Sequence, residues 1–202
     1  MTPEEALDRG LTELALPLPQ DARRALSAYV ALLAKWNRVH NLTAIHEPLE
    51  MMKQHVLDSL AVLPHLPLSG EASVADIGSG GGLPGIPLAL ARPQWLVTLN
   101  EAAQKKAAFL RQAKIELQLK NLEVHEGRVE HWHPAAPFDL AISRAFADLD
   151  RFIGACRHLV APGGWIAAMK GPREASREGC SSVALRVPFL DAERHLLLCK
   201  VA

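Results

Sequence analysis

The sequence predicts an α/β fold in which a largely parallel sheet, covered on both faces, follows a layer of helices. Three observations carry this expectation. From Ser73 onward, short apolar runs of strand length alternate with helical patterns, as units of a parallel sheet do. Before Gly70, apolar residues recur only at helical spacing. Between the two regimes, the glycine-rich stretch from Asp76 to Gly82 joins the first strand pattern to a helix, at the kind of crevice where open α/β sheets bind ligands.

The first helix is expected from Pro3 to Leu14, with proline and acids in its first turn. The second starts near Asp21, which suits an N-cap, and carries Leu26, Tyr29, Val30, Leu33 and Trp36 on one face. A third runs from Pro48 through Leu63, where Pro64 ends it. Strands follow at Ser73–Ile77, Trp95–Leu99, Leu122–Val124, Phe138–Ile142 and Trp165–Met169. Helices are expected at Ile86–Ala91, Ala102–Leu119 and Asp148–Leu159, and Pro162-Gly163-Gly164 reads as a turn. Val183–Pro188 and His195–Val201 have no helix between them, which predicts an antiparallel pair.

A chain of 202 residues suits one globular domain with a small appendage. Residues 1–69 read as a helical extension packed on a main domain at 70–202, the two forming one compact unit. Lys plus Arg and Asp plus Glu both number 22, so any nucleic-acid contact must come from a local basic patch. Cys156, Cys180 and Cys199 show neither a C-x-x-C pair nor metal-type spacing, which points to a reducing compartment and no metal. The acidic start and the absence of a long apolar run predict a cytoplasmic protein with no membrane contact. A balanced charge without an exposed apolar stripe predicts a monomer.

The glycine loop calls for a nucleotide-type ligand. Gly78 and Gly80 suit the tight turn after the strand, and Gly82 and Gly85 suit close approach to a ligand or strand. Glu101 ends the second strand about 20 residues further on, where an acid hydrogen-bonds ribose hydroxyls. No Gly-Lys-Ser/Thr follows, which excludes a triphosphate P-loop. Pro84 and Pro87 crowd the helix start, and Asp76 precedes the glycines. An acid there repels a pyrophosphate but suits the sulfonium and ammonium of S-adenosylmethionine. Asp76 can equally brace the loop by accepting its N–H groups, and the two roles can coexist.

Six motifs in order then carry a resemblance. They are Lys35-Trp36-Asn37 with Asn41-Leu42-Thr43, His55-Val56-Leu57-Asp58-Ser59-Leu60, Asp76 through Pro87, Lys105-Lys106 with Phe109-Leu110-Arg111, Ser143-Arg144-Ala145-Phe146-Ala147, and Lys170-Gly171 with Glu193-Arg194-His195-Leu196. Over nearly its whole length the chain resembles the ribosomal small-subunit methyltransferase G family, also called glucose-inhibited division protein B. The resemblance implies a class I S-adenosylmethionine-dependent methyltransferase fold, a Rossmann-like seven-stranded sheet with an N-terminal helical extension. It implies methylation of N7 of a guanine in 16S ribosomal RNA near the decoding region, with S-adenosylhomocysteine as product. It implies 16S ribosomal RNA or the small ribosomal subunit as the partner. It places the cofactor against Gly78 and Leu83, Glu101 at the ribose with Ala102 and Ala103 beside it, Val129 and Glu130 at the adenine edge, and Arg144 beside cofactor and incoming base. Two departures stand out: Ala102 follows Glu101 where many members have Asp followed by Ser, and the stretch from Gly171 to Val183 is short.

Guanine N7 carries a free lone pair, so no general base is needed and catalysis can rest on proximity and orientation. Arg144 is the candidate for holding substrate and cofactor, through guanine O6 or a phosphate, unless it only pairs a carboxylate at its strand end. Lys105, Lys106 and Arg111, with Lys170 across the sheet edge, are candidate RNA contacts, or else part of a solvated face. Asn37, Asn41, His55 and Asp58 either reach the active-site mouth or bond within the helical layer. His131-Trp132-His133 reads as a surface loop, and Trp36, Trp95 and Trp165 as core aromatics. The competing readings are a same-fold methyltransferase acting on a small molecule or protein, a nicotinamide-dependent oxidoreductase, and a cofactor-holding protein without turnover.

Overall fold

The computed structural model describes residues 1–144, 146, 148–171 and 178–202. Helix α1 spans Pro3–Glu13 and opens with a capping box, in which Thr2 Oγ1 accepts from Glu5 N–H and Glu5 accepts from Thr2 N–H. Helix α2 spans Gln20–His40. Its N-cap is Pro19 without a side-chain cap, so Asp21 lies inside the first turn and pairs with Arg24 instead. The helix expected from Pro48 to Leu63 is broken up. It comprises α3 (Pro48–Met51), a π-helical stretch at Met52–Leu57, α4 (Asp58–Leu60) and a 3-10 turn at Leu63–His65 that contains Pro64.

The sheet comprises β1 (Ala72–Ile77), β2 (Trp95–Glu101), β3 (Leu122–Glu126), β4 (Phe138–Ser143), β5 (Val160–Lys170), β6 (Cys180–Leu185) and β7 (Arg194–Lys200). Helices α5 (Gly85–Ala91), α6 (Gln104–Glu116) and α7 (Leu149–Cys156) link the first strands. Strand order is β3-β2-β1-β4-β5-β7-β6, seven strands among the described residues. The first five are parallel, while β7 runs antiparallel to both β5 and β6. The hairpin expected at the C-terminus is therefore present, with β7 inserted between β5 and β6. Because β1 to β5 share a direction, Ile77, Glu101, Glu126, Ser143 and Lys170 all end at one edge, and antiparallel β7 brings Arg194 and His195 back to it.

Three local expectations are corrected. Pro162-Gly163-Gly164 is not a turn but lies within β5, where Gly163 and Gly164 exchange backbone hydrogen bonds with Val201 and the register against β4 shifts. The sixth strand begins at Cys180, three residues before the expected Val183. That start faces Cys180 directly against Cys199 across β6 and β7, and the two form a disulfide, leaving Cys156 as the buried free cysteine. Sequence spacing hides this pairing because only the strand register brings the two together.

One apolar cluster runs from Leu7, Leu26, Leu33, Met52 and Leu60 of the helical layer into Val74, Leu99, Phe109, Leu140 and Leu196 of the sheet domain. A second, holding Ala75, Ile77, Phe138, Phe152 and Ile166, covers the opposite face. Trp132, expected on a surface loop, is buried in this second cluster and stacks on His125 at 4.5 Å. Trp95 is buried, whereas Trp36 and Trp165 are only partly so. No helix among the described residues is long and apolar enough to cross a membrane.

Packing beneath the glycine loop is tight at Gly85. A methyl group there would lie 2.2 Å from Leu99 Cδ2 and 2.7 Å from Asp76 Oδ2. Gly154 in α7 has open space around it. Gly85→Ala is therefore expected to destabilise by about 1–3 kcal/mol, and Gly154→Ala to stabilise by up to about 1 kcal/mol. Urea unfolding of both variants checks this, and a neutral Gly85→Ala would refute the packing account.

Candidate active site

One half of the candidate site is built from the carboxyl ends of β1 and β2. Asp76 is wholly buried, its Oδ2 accepts from Gly85 N–H at 2.9 Å, and its Oδ1 has no hydrogen-bond partner. Burial pushes this carboxyl up to about 7, while the Gly85 amide, then the Ser79 hydroxyl and, less, the Arg144 charge pull it back. A buried acceptor left unsatisfied calls for an explanation, and a ligand donor or cation supplies one. Gly78 N–H and Ser79 N–H both donate to Asn100 O, which ties the loop to the end of β2. Gly80 holds φ +56° with only Gly78 O near the position of a Cβ, at 3.9 Å, so its face is open to a ligand. The loop is backed by Tyr29 of α2, whose buried hydroxyl donates to Gly81 O at 2.6 Å.

Glu101 is buried rather than facing solvent. Its Oε2 accepts from Gly80 N–H and its Oε1 from Ala103 N–H, each at 2.8 Å. It thus braces the glycine loop and the start of α6 at once, and each oxygen keeps a second lone pair. Asp76 likewise serves as the brace that turn chemistry suggests, with one oxygen left over. Leu83 and Val129 are buried, while Ala102, Ala103 and Glu130 are exposed at the same edge.

Beside this half lies a cavity of about 360 Å³ lined by residues that include Gln54, His55, Asp58, Arg144, Lys170 and Arg194. Arg144 Nη1 lies 3.2 Å from both Gln54 O and Asp58 Oδ2, and its Nη2 3.2 Å from His55 Nδ1. His55 Nδ1 also lies 3.1 Å from Gln54 O, and Nε2 lies 2.7 Å from Thr43 Oγ1, so both ring nitrogens have partners. Burial, reinforced by Arg144, lowers His55 to about 4, so it is neutral at physiological pH. Arg194 Nε reaches the other Asp58 oxygen at 3.2 Å.

The structure divides the polar residues of the helical layer. Asn37 bonds within it, to Ile45 O and Thr43 N–H, and Asn41 is the left-handed C-cap of α2. His55 and Asp58 instead reach across to Arg144. The ion pair foreseen for Arg144 is present. Arg194, absent from the sequence-based site residues, joins the cavity because β7 is antiparallel; its place in the last motif was the only signal. Lys170 does not extend the α6 surface across a sheet edge. It ends β5, three strands from β2, is buried, and donates to Phe146 O at 2.8 Å. On α6, Lys105 is exposed and Lys106 half-buried, whereas Arg111 and Lys114 pair with Glu126 and Glu123 of β3. Ala145, Ala147 and residues 172–177 of the short segment lie outside the described residues. No group of three or more potential metal ligands occurs among the described residues.

The chain matches the family of rRNA small subunit methyltransferase G (GidB) over residues 22–188. A ribosomal RNA small subunit methyltransferase G from Methylobacillus flagellatus is 50% identical over 202 residues, 96% of each chain. Its counterpart from Burkholderia thailandensis is 53% identical over 209 residues, 97% of this chain and 90% of the relative. A SAM-dependent methyltransferase structure from Aquifex aeolicus superposes with TM-score 0.57 at 13% identity, over 84% of this chain and 98% of that one. TrmN from Thermus thermophilus gives 0.55 at 16% identity, over 74% and 53%. These distant structures share the class I methyltransferase fold, a seven-stranded sheet of the kind described above. The near relatives are alike along almost the entire chain, and on that ground this protein belongs to the rRNA small subunit methyltransferase G family.

Proposed function

We propose that the protein is an S-adenosylmethionine-dependent methyltransferase that modifies N7 of a guanine in 16S ribosomal RNA, near the decoding region. The observation that carries this reading is the position of Arg144. Arg144 follows Ser143, whose hydroxyl donates to Ile77 O at the end of β1 where the glycine loop begins, and its guanidinium lines the acceptor cavity. One residue thus adjoins both reactants' sites at the sheet edge.

The residues fit the cofactor. Asp76, buried beneath the loop with one oxygen unbonded, acts on a cation through its charge, Gly78 and Gly80 admit close approach, and Glu101 has lone pairs left for ribose hydroxyls. Leu83, Val129 and Glu130, with Ala102 and Ala103, flank the adenine and ribose. When bound, S-adenosylmethionine supplies a methyl group on a sulfonium. The protein's task is alignment, because guanine N7 attacks with its own lone pair. Arg144 donates to guanine O6 and leaves N7 free. His55 has no proton to take from guanine N7, and both its ring nitrogens are engaged, Nδ1 with Arg144 and Gln54 O and Nε2 with Thr43. Among the described residues lining the cavity, the cations Arg144, Lys170 and Arg194 face the one carboxylate of Asp58, which favours a phosphate-bearing acceptor over a neutral small molecule. Lys105, Lys106 and Arg111 extend the RNA contact along α6. The reading further holds that residues 1–69 are an extension on the methyltransferase domain, and that a metal-free monomer works in the cytoplasm. A reduced Cys180–Cys199 pair is compatible with that, because six register pairs hold β6 to β7 without the bond.

Incubating protein, tritiated S-adenosylmethionine and small ribosomal subunits should yield labelled 7-methylguanosine at one position of 16S RNA. Arg144→Ala should lower kcat/KM by roughly 10- to 100-fold, the loss of one or two charged hydrogen bonds. Label in another nucleoside, or undiminished turnover of Arg144→Ala, would refute the respective assignment.

Asp76 gives a pH dependence. Its folded value of about 7 lies above the ordinary 3.8, so the folded state keeps a proton that the unfolded state has lost. Stability from this group is complete below about 4 and is lost as pH rises toward about 7. A cationic cofactor favours the carboxylate, so its affinity should rise through the same region with proton release. Calorimetry in buffers of differing ionisation enthalpy measures that release, and Asp76→Asn should abolish it. Affinity independent of pH between about 6 and 8 in the unmodified protein would contradict the assignment.

The α6 contact is tested by salt. Log affinity for RNA should fall linearly with log salt, and Lys105→Ala with Lys106→Ala should reduce the slope by about 1 to 2. An unchanged slope would return both lysines to a solvated face.

A further inference from the structure

We propose that Asp58 is a positioning residue for methyl transfer: a buried carboxylate that sets Arg144 and Arg194 as two arms of one clamp over the acceptor cavity. The inference rests on reading that cavity as the acceptor side, and deepens it. Arg144 follows β4 and Arg194 opens β7, and β5 lies between those strands. Their backbones are thus separated by two strand spacings, about 9–10 Å. Asp58 closes the gap from the helical layer, with Oδ2 3.2 Å from Arg144 and Oδ1 3.2 Å from Arg194. Its side chain is 3% exposed, whereas those of the two arginines are 26% and 27% exposed. The carboxylate is therefore screened from a ligand while both guanidiniums remain reachable.

The local backbone serves this placement. Asp58 directly follows the π-helical stretch Met52–Leu57, a distortion that often marks functional positions. The same stretch presents Gln54 O and His55 Nδ1 to Arg144, so both Nη atoms have fixed partners before any substrate arrives. Asp58 is not an acid or base for the reaction, since both its oxygens are engaged and guanine N7 needs neither. Nor is stability an adequate reason for the triad, because buried ion pairs give little net stabilisation over apolar replacements.

Charge and geometry predict opposite outcomes for this residue. A carboxylate beside a cavity meant for phosphate weakens attraction, so on charge alone Asp58→Asn should bind RNA more tightly and lose no turnover. As a positioning residue, Asp58 is needed for productive orientation, and misplacement of about 1 Å can cost on the order of 100-fold in rate.

The experiment measures methylation of small ribosomal subunits by the full chain, with cofactor affinity and thermal midpoint recorded for each variant. Asp58→Asn is expected to lose at least about 10-fold in kcat, with cofactor affinity retained and KM not raised. Asp58→Asn combined with Arg194→Gln should lose no more than the worse single variant, because Asp58 acts through the arginines. Asp58→Glu keeps the charge but shifts it by a methylene, and should also lose kcat; it carries the test if Asp58→Asn does not fold. Wild-type kcat in either single variant, or losses that multiply in the double variant, would overturn the proposal. The guanidinium N–H resonances that face Asp58, Nη1–H of Arg144 and Nε–H of Arg194, provide a readout without RNA. They should be slow to exchange in the unmodified protein and fast in the Asp58 variant that folds, and no difference would overturn the proposal. If the unmodified protein labels no ribosomal RNA, the functional reading fails separately, and the resonances still decide whether Asp58 fixes both arginines.

Discussion

Burying Asp76 removes its carboxyl group from water at the end of β1, and the protein offsets the cost on one oxygen only, through Gly85 N–H. Much of the cofactor side follows from this. To donate that bond, the first residue of α5 must sit against β1 and β2, where a Cβ would strike Leu99 and the carboxylate itself. The chain between Asp76 and Gly85 must therefore turn sharply over the sheet edge, which glycines permit. The turn leaves backbone groups in need of partners, and Asn100, Glu101 and Tyr29 provide them from β2 and α2.

The two sides of the site are made differently. The glycine-loop side is mostly backbone, held by hydrogen bonds with the buried side chains of Asp76, Glu101 and Tyr29. The acceptor side is side chains converging from distant parts of the chain. Gln54, His55 and Asp58 come from the helical layer, Arg144 from β4, Lys170 from β5 and Arg194 from β7. Such convergence needs the helical layer to be rigid against the sheet. The shared core from Leu7 and Met52 to Leu99 and Leu196 supplies that rigidity, since interiors at crystal-like density transmit position faithfully.

How much of this was legible in the sequence follows from the range of each interaction. The glycine loop and Glu101 were legible because strand, turn and helix are local and the acid follows at a regular interval. The antiparallel end of the sheet was legible from the missing helix between its last strands. The break in the third helix was not, because a π-helical stretch keeps apolar residues at nearly helical spacing. Pro162-Gly163-Gly164 carries turn chemistry, yet pairing with Val201 holds it in a strand. Trp132 looked like surface because its flanking histidines are polar, while His125 and Phe138, which pack on it, come from β3 and β4, the strands before and after it in the chain. Bonds from Asp58 to Arg144 and Arg194 span 86 and 136 residues, so only the sheet order reveals them.

A reaction that needs no proton abstraction removes the usual reason for placing a titratable group beside the reacting atoms. The ionisable groups of this site fit that reasoning. His55 is held neutral by burial and Arg144, and both its nitrogens are occupied. Asp76 lies beneath the loop with no exposed surface, where it can act on a cation electrostatically. Asp58 is enclosed between guanidiniums. What remains available to an acceptor are donors, the N–H groups of Arg144 and Arg194, and donors are what an electron-rich purine edge and its phosphates require. Rate in such a site depends on how well the lone pair, methyl group and sulfur are aligned. It follows that groups touching neither reactant, such as Tyr29 behind the loop and Asp58 behind the arginines, bear on turnover through the positions they impose.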